Sequence, residues 1–432
     1  MDGPPRGAIA RRRKTRCGNA SSVSERPKAM SEVRREGETI VLPGLVSAHS
    51  HAFQRGLRGR THALARAGEG SFWSWRGLMY RFAAGLDPES IFALSRLAFR
   101  ELARNGVTAV GEFHYVQHQP DGTPYDDRVV LAESVIRAAR EVGIRITLLR
   151  VLYARGGWGR PLEPTQKRFV DGDVRDALAD VDELRKRFAG DEGVRFGLAP
   201  HSVRAVPVEW LRAARDYCDE HGLPLHAHVA EQRRELAECL AEHGKRPVEL
   251  LADEGILSER FVAVHATHLR PHEARLLGDS FACLCRTTER DLGDGSPDVQ
   301  QLRDAGVRLC VGVDSHARSD ALEELRAVEL DERVRAEGRA LAADGTALLE
   351  AGTNLGSAAI GQANDGDEVV LDANDASLLG APDSGPALTD AVVFGADARA
   401  IREVRVAGES VSLEPTTEER DAFDAAVAQL TR

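Results

Sequence analysis

The sequence predicts an α/β protein built as a closed (β/α)8 TIM barrel, with a small β-rich appendage contributed by the two ends of the chain. Three observations predict this. Strand-like apolar runs alternate with helix-period segments eight times in strict order. The alternation occupies roughly 290 residues, which fits a barrel better than an open doubly wound sheet. The histidines and carboxylates gather at the carboxyl ends of the runs, where a barrel of parallel strands carries its chemistry.

Residues 1–35 are polar and aperiodic, with a basic run from Arg11 to Arg16, and read as a disordered leader without assigned function. Strand-like text begins at 36–43. The catalytic barrel is placed at 44–339, and 340–432 joins 36–43 in a small, sandwich-like β domain. Barrel strand one ends in His49-Ser50-His51. Residues i and i+2 of a strand share a face, so these two imidazoles can aim at one point. An irregular stretch over 55–86 carries Ser71-Phe72-Trp73-Ser74-Trp75-Arg76 and is long enough to be a lid or binding loop. The remaining strands are read at 108–115, 145–153, 194–201, 224–231, 261–265, 281–285 and 307–314. Helices are read at 88–105, 126–142, 174–189, 207–220, 232–254, 271–278, 298–305 and 320–338.

Composition narrows the function classes. A net charge of −11 argues against a nucleic-acid surface and leaves any bound anion to local arginines. The six cysteines show no disulfide density and no C-x-x-C spacing, which fits buried inert thiols in a reducing, cytoplasmic setting. No membrane-spanning or signal-peptide segment is found in the sequence.

At the predicted rim, His49, His51, His228 and Asp314 make a three-nitrogen, one-oxygen donor set suited to one divalent cation, Zn²⁺ with Fe²⁺ as the alternative. His226 also forms an H-x-H pair with His228, and both share one strand face. His228 is preferred because it lies nearer the strand end and stands three residues before Glu231. Glu231 is placed to move a proton to a leaving nitrogen. His265 ends strand six and is free to act as a catalytic group.

With those residues in hand, the chain resembles the amidohydrolase superfamily in its mononuclear aminohydrolase branch. Within that branch it is similar to the formimidoylglutamate deiminase family. The likeness is carried by residues 49–55, 71–76, 111–115, 199–204, 228–232, 264–268 and 291–295. Binuclear hydrolases of this architecture bridge two metals with a modified lysine on strand four. None of the five lysines here ends a barrel strand, so one metal is expected.

The resemblance implies hydrolysis of N-formimidoyl-L-glutamate to N-formyl-L-glutamate and ammonia in histidine degradation. It also implies that Gln54, Arg76, Tyr115, His201 and Arg204 hold the substrate, with Glu231, His265 and Asp314 catalytic. Two arginines suit a substrate with two carboxylates. A homodimer is expected. The competing readings are a deaminase of a guanine- or adenosine-like molecule and a catalytically inactive barrel scaffold.

Overall fold

In the computed structural model, residues 32–62 and 70–431 are described. Two short strands open the chain, β1 (Arg34–Glu36) and β2 (Thr39–Pro43). Eight parallel strands follow: β3 (Leu45–Ser50), β4 (Val107–His114), β5 (Arg145–Leu152), β6 (Val194–Pro200), β7 (Leu225–Val229), β8 (Phe261–His265), β9 (Phe281–Leu284) and β10 (Arg308–Val311). They lie side by side in sequence order. Closure comes from Ser50 and Asp314, which form a parallel bridge between the first and last strands. The Asp314 N–H donates to the His49 carbonyl at 3.1 Å, and the His51 N–H donates to the Asp314 carbonyl at 2.9 Å. Gly312 permits this approach, because a Cβ there would lie 2.7 Å from the Cβ of His49.

The barrel interior is a packed core. Val46, Ala48, Ala109, Val262, Val264, Phe281, Cys283, Cys285 and Cys310 fill it, and Ala359 and Ile360 enter the same cluster. The helices Gly345–Ala351 and Asn354–Ala359 therefore pack against the barrel. Sequence reading placed them in the β appendage, because short Gly- and Ala-rich helices carry little periodicity of their own. The five cysteines among the described residues are all buried and free.

The appendage is one antiparallel sheet, ordered β1, β2, β11 (Glu368–Asp372), β12 (Ile401–Val406), β13 (Glu409–Ser410). Among the described residues it is a single sheet, and no second sheet forms a sandwich with it. The C-terminal helix Thr417–Leu430 carries Glu419, whose carboxylate accepts from Arg100 at 2.9 Å. Strand β1 falls partly inside the segment read as a leader; residues 1–31 of that segment lie outside the described residues. The strand was missed because it is three charged residues long and owes its pairing to β2.

Three further differences bear on the site. The stretch read as irregular contains the 3-10 segment Ala52–Leu57 and the helix Phe72–Ala84. Ser71 caps that helix reciprocally with Ser74, and Phe72, Met79, Tyr80, Phe82 and Ala83 bury one face. The helix read over 232–254 is two, Arg233–His243 and Pro247–Asp253. Gly244, at φ +67°, ends the first, and Pro247 starts the second. A helix at Arg286–Leu292, absent from the sequence reading, follows β9.

Candidate active site

The predicted rim residues meet at the carboxyl mouth of the barrel. His49 lies in β3 and His51 just beyond it; His228 lies in β7, His265 ends β8, and Asp314 follows β10. The donor atoms of His49, His51 and His228 lie within 4.8 Å of one another. Asp314 Oδ1 is 3.6 Å from His49 Nε2 and 3.3 Å from His51 Nε2.

The neighbours of these rings decide their tautomers. His51 Nδ1 faces the Phe113 carbonyl at 3.0 Å, and His228 Nδ1 faces the His201 carbonyl at 3.1 Å. A carbonyl only accepts, so both Nδ1 atoms carry hydrogen and both Nε2 atoms turn lone pairs inward. Burial keeps the imidazoles neutral, lowering His51 to about 3 and His228 well below the ordinary value. Asp314 is held ionised despite its burial, by the His49 contact and the nearby imidazoles. Two inward lone pairs, the His49 Nε2 only 3.2 Å from that of His51, and an ionised carboxylate together make a compact donor set. The residues fit a divalent metal with nitrogen and oxygen donors.

His226 takes no part. It points down the barrel, and its Nε2 lies 2.9 Å from the Ala359 carbonyl in the packed interior.

A buried carboxylate outside the sequence-predicted set braces the H-x-H turn. Glu112 of β4 accepts the Ala52 N–H at 2.8 Å and the Ser50 hydroxyl at 2.6 Å. Burial pushes its pKa up to about 8 against those two bonds. Glu112→Ala is expected to weaken metal affinity by about 10- to 100-fold, as loss of a support behind metal ligands does. Competition with a chromophoric chelator checks this, and Glu112→Gln should keep most of the affinity.

Glu231 and His265 flank the cluster. His265 Nε2 is 4.0 Å from Glu231 Oε1 and 3.6 Å from Asp314 Oδ2. Its Nδ1 is 3.4 Å from Glu289, which is itself fixed by the Cys285 N–H and by Arg286. Burial lowers the His265 pKa, but Glu289, Glu231 and Asp314 together outweigh it and raise it to about 10. Burial raises Glu231 above the ordinary carboxyl value, against the pull of His265 and Arg204. Glu235 accepts the Ala230 and Glu231 N–H groups and so fixes the turn that presents Glu231. His265 at φ +70° and Asp314 at φ +52° sit in the left-handed region, a cost of about 1–3 kcal/mol each that clusters at functional sites.

A pocket opens above this cluster and is lined by Gln54, Arg76, Tyr115, His201 and Arg204. All five sequence-predicted substrate positions thus line one cavity with Glu231, His265 and Asp314. Gln54 donates to the Tyr115 hydroxyl at 2.8 Å, while its own carbonyl oxygen is buried without a partner. Burial and the neighbouring Arg204 keep His201 neutral. Arg204 is 6 % exposed, and its Nη1 has no hydrogen-bond acceptor. Arg76 and Arg204 lie 4.5 and 5.7 Å from the Trp73 ring. Among the described residues neither guanidinium is paired with a carboxylate.

Sequence reasoning missed Tyr80, Tyr153 and Phe169 in the wall, and Glu112, Glu235 and Glu289 behind it. Two signals were available. Glu112 is a carboxylate inside an otherwise apolar strand, and Tyr153 stands at a strand end like the histidines.

Residues 40–411 match the model of the amidohydrolase family. The chain belongs to that family, whose members are metal-dependent hydrolases. It is 36% identical over 404 residues to a formimidoylglutamate deiminase of Pseudomonas aeruginosa, an alignment covering 89% of this chain and 87% of the relative. It is 30% identical over 355 residues to a 5-methylthioadenosine/S-adenosylhomocysteine deaminase of Halobacterium salinarum, covering 80% and 74%. Among solved structures, an amidohydrolase from Brucella melitensis superposes with a TM-score of 0.83 at 31% identity, covering 93% of this chain and 96% of that one. An adenosine deaminase from Xanthomonas campestris with bound zinc shares the fold at 23% identity, with a TM-score of 0.75 over 91% and 85% of the two chains. This amidohydrolase contains no helix, among its described residues, long and apolar enough to cross a membrane.

Proposed function

We propose that this amidohydrolase hydrolyses N-formimidoyl-L-glutamate to N-formyl-L-glutamate and ammonia, with one divalent cation held by His49, His51, His228 and Asp314. One observation carries the substrate class. Arg76 and Arg204 face the pocket without a carboxylate partner, in a protein of net charge −11. A buried guanidinium left unpaired is costly, so the ligand that enters is expected to bring the anions. Formimidoylglutamate brings two carboxylates, which guanidinium forks fix with defined geometry. A purine offers no anion to either arginine.

Zn²⁺ is the proposed ion, with Fe²⁺ the alternative that the same nitrogen and oxygen donors accept. When bound, the cation supplies a water acidified towards neutrality at the barrel mouth. The rest is done by side chains. Asp314 receives the proton of the attacking water, and His265, protonated at its raised pKa, orients that water as a hydrogen-bond donor. Glu231, kept protonated towards neutral pH by its burial, delivers one proton to the imino nitrogen as water adds. The proton taken by Asp314 then reaches the resulting amine, which departs as ammonia while the hydroxyl proton of the adduct returns to Glu231 and the carbonyl forms. The unpartnered carbonyl of Gln54 is free to accept from an N–H of the substrate.

The test is ammonia release by zinc-loaded protein from formimidoylglutamate, compared with guanine and adenosine analogues. Release from formimidoylglutamate alone is the expected result, and preference for a purine would overturn the reading. Arg204→Met is expected to lower kcat/KM at least about 100-fold, the scale for deleting one partner of a buried charge pair, with KM rising.

A further inference from the structure

Two buried tyrosines in the pocket wall have no part in the chemistry above. Tyr80 lies one turn after Arg76 on the helix Phe72–Ala84, and Tyr153 immediately follows β5. They are 4 % and 3 % exposed, and both line the cavity beside Arg76, Arg204 and His201. Their hydroxyl oxygens lie 3.2 Å apart.

Counting hydrogens shows what this pair offers. The side-chain oxygen of Gln166 accepts the Glu163 N–H at 2.9 Å, which fixes the amide so that its Nε2 donates to Tyr153 Oη at 3.1 Å. Tyr153 is therefore already an acceptor. Between the two phenols there are two O–H hydrogens and one shared bond. If Tyr80 donates, the Tyr153 hydrogen is left over; if Tyr153 donates, the Tyr80 hydrogen is left over. No other described residue accepts it. Burial pushes the Tyr153 phenol well above its ordinary range. The wall thus carries two unpaired guanidiniums and one spare O–H, all donors.

We propose that Tyr80 and Tyr153 act as a single hydrogen-bond donor to an ionised carboxylate of the substrate, and that this dyad helps select a carboxylate over the corresponding carboxamide. A carboxylate only accepts and has two oxygens to meet these donors, whereas an amide turns an NH₂ towards them. The inference rests on the reading above that the ligand is a glutamate derivative.

The hydrogen count makes an unusual prediction. Tyr80→Phe leaves one hydrogen, on Tyr153, and Tyr153→Phe leaves one on Tyr80, so each single variant keeps a spare donor. Only the double variant has none. Titration calorimetry on the full-length, zinc-loaded protein should show N-formyl-L-glutamate binding weakened less than about threefold in each single variant. In Y80F/Y153F it should weaken about tenfold or more, the scale for one hydrogen bond to a charged group. Against one of the two monoamides of N-formyl-L-glutamate, the double substitution should cost nothing.

Losses that merely multiply, an unchanged double variant, or equal losses on all three ligands would each overturn the dyad. If the double variant fails to fold, Y80F combined with Gln166→Glu makes the same prediction, because the new carboxylate takes the Tyr153 hydrogen. Wild-type protein that binds no N-formyl-L-glutamate also overturns the dyad. Binding without formimidoylglutamate turnover overturns only the proposed reaction.

Discussion

Glu231→Gln is expected to lower kcat by about 10³- to 10⁴-fold, the upper part of the range for a positioned proton donor, while the protein keeps its metal and its affinity for N-formyl-L-glutamate. The substitution preserves shape and the ability to accept a hydrogen bond, and removes only the proton that the leaving nitrogen needs. The surroundings of Glu231 are arranged to hold that proton: the side chain is buried, and Glu235 ties down its backbone turn. Single-turnover ammonia release, metal content by atomic absorption and product binding by calorimetry separate the three quantities. A Glu231→Gln protein that turns over normally would remove Glu231 from the mechanism, whatever the metal content.

Removing the metal is expected to have the other largest effect. Protein dialysed against a strong chelator should fall to background turnover and recover when Zn²⁺ is returned, and His228→Ala should fail to recover at the same zinc concentration. The cation should also stabilise the fold, by about 4 kcal/mol when present at a thousandfold over its dissociation constant. The physical reason is the convergence of the His49, His51 and His228 ring nitrogens on an ionised Asp314, a donor set built for a cation. Thermal melts with and without chelator read this directly, independently of turnover. Metal-free protein with full activity, or with an unshifted melting temperature, would contradict the donor assignment.

Much of this molecule was legible before its structure. The eight-fold alternation named the barrel because each strand of a parallel sheet needs a crossover helix, and that requirement writes a period into the text. His49, His51, His228, His265 and Asp314 were legible as a group because every one stands at a strand end, and strand ends of a barrel share one mouth. The pocket residues Gln54, Arg76, Tyr115, His201 and Arg204 were legible as a group only through likeness to a family. Arg76 lay in a stretch read as a loop, and no local pattern announces that a guanidinium will lack a partner. The helix Arg286–Leu292 and its Glu289 were invisible for a similar reason: seven residues carry too little periodicity, and the carboxylate matters only because His265 arrives from β8.

The sequence by itself determined the architecture and the gathering of His49, His51, His228, Glu231 and Asp314 at one barrel mouth, because each depends on spacing along one strand or on the order of strands. Tertiary structure alone decided what surrounds them. It sent His226 down into the packed interior and His228 to the rim, although the two share a strand face and an H-x-H spacing. It placed Glu112 under the turn that carries His51, and set Tyr80 and Tyr153 in contact across 73 residues of chain. Those arrangements rest on hydrogen-bond partners distant in sequence, and a partner supplied by another strand leaves no trace in local spacing.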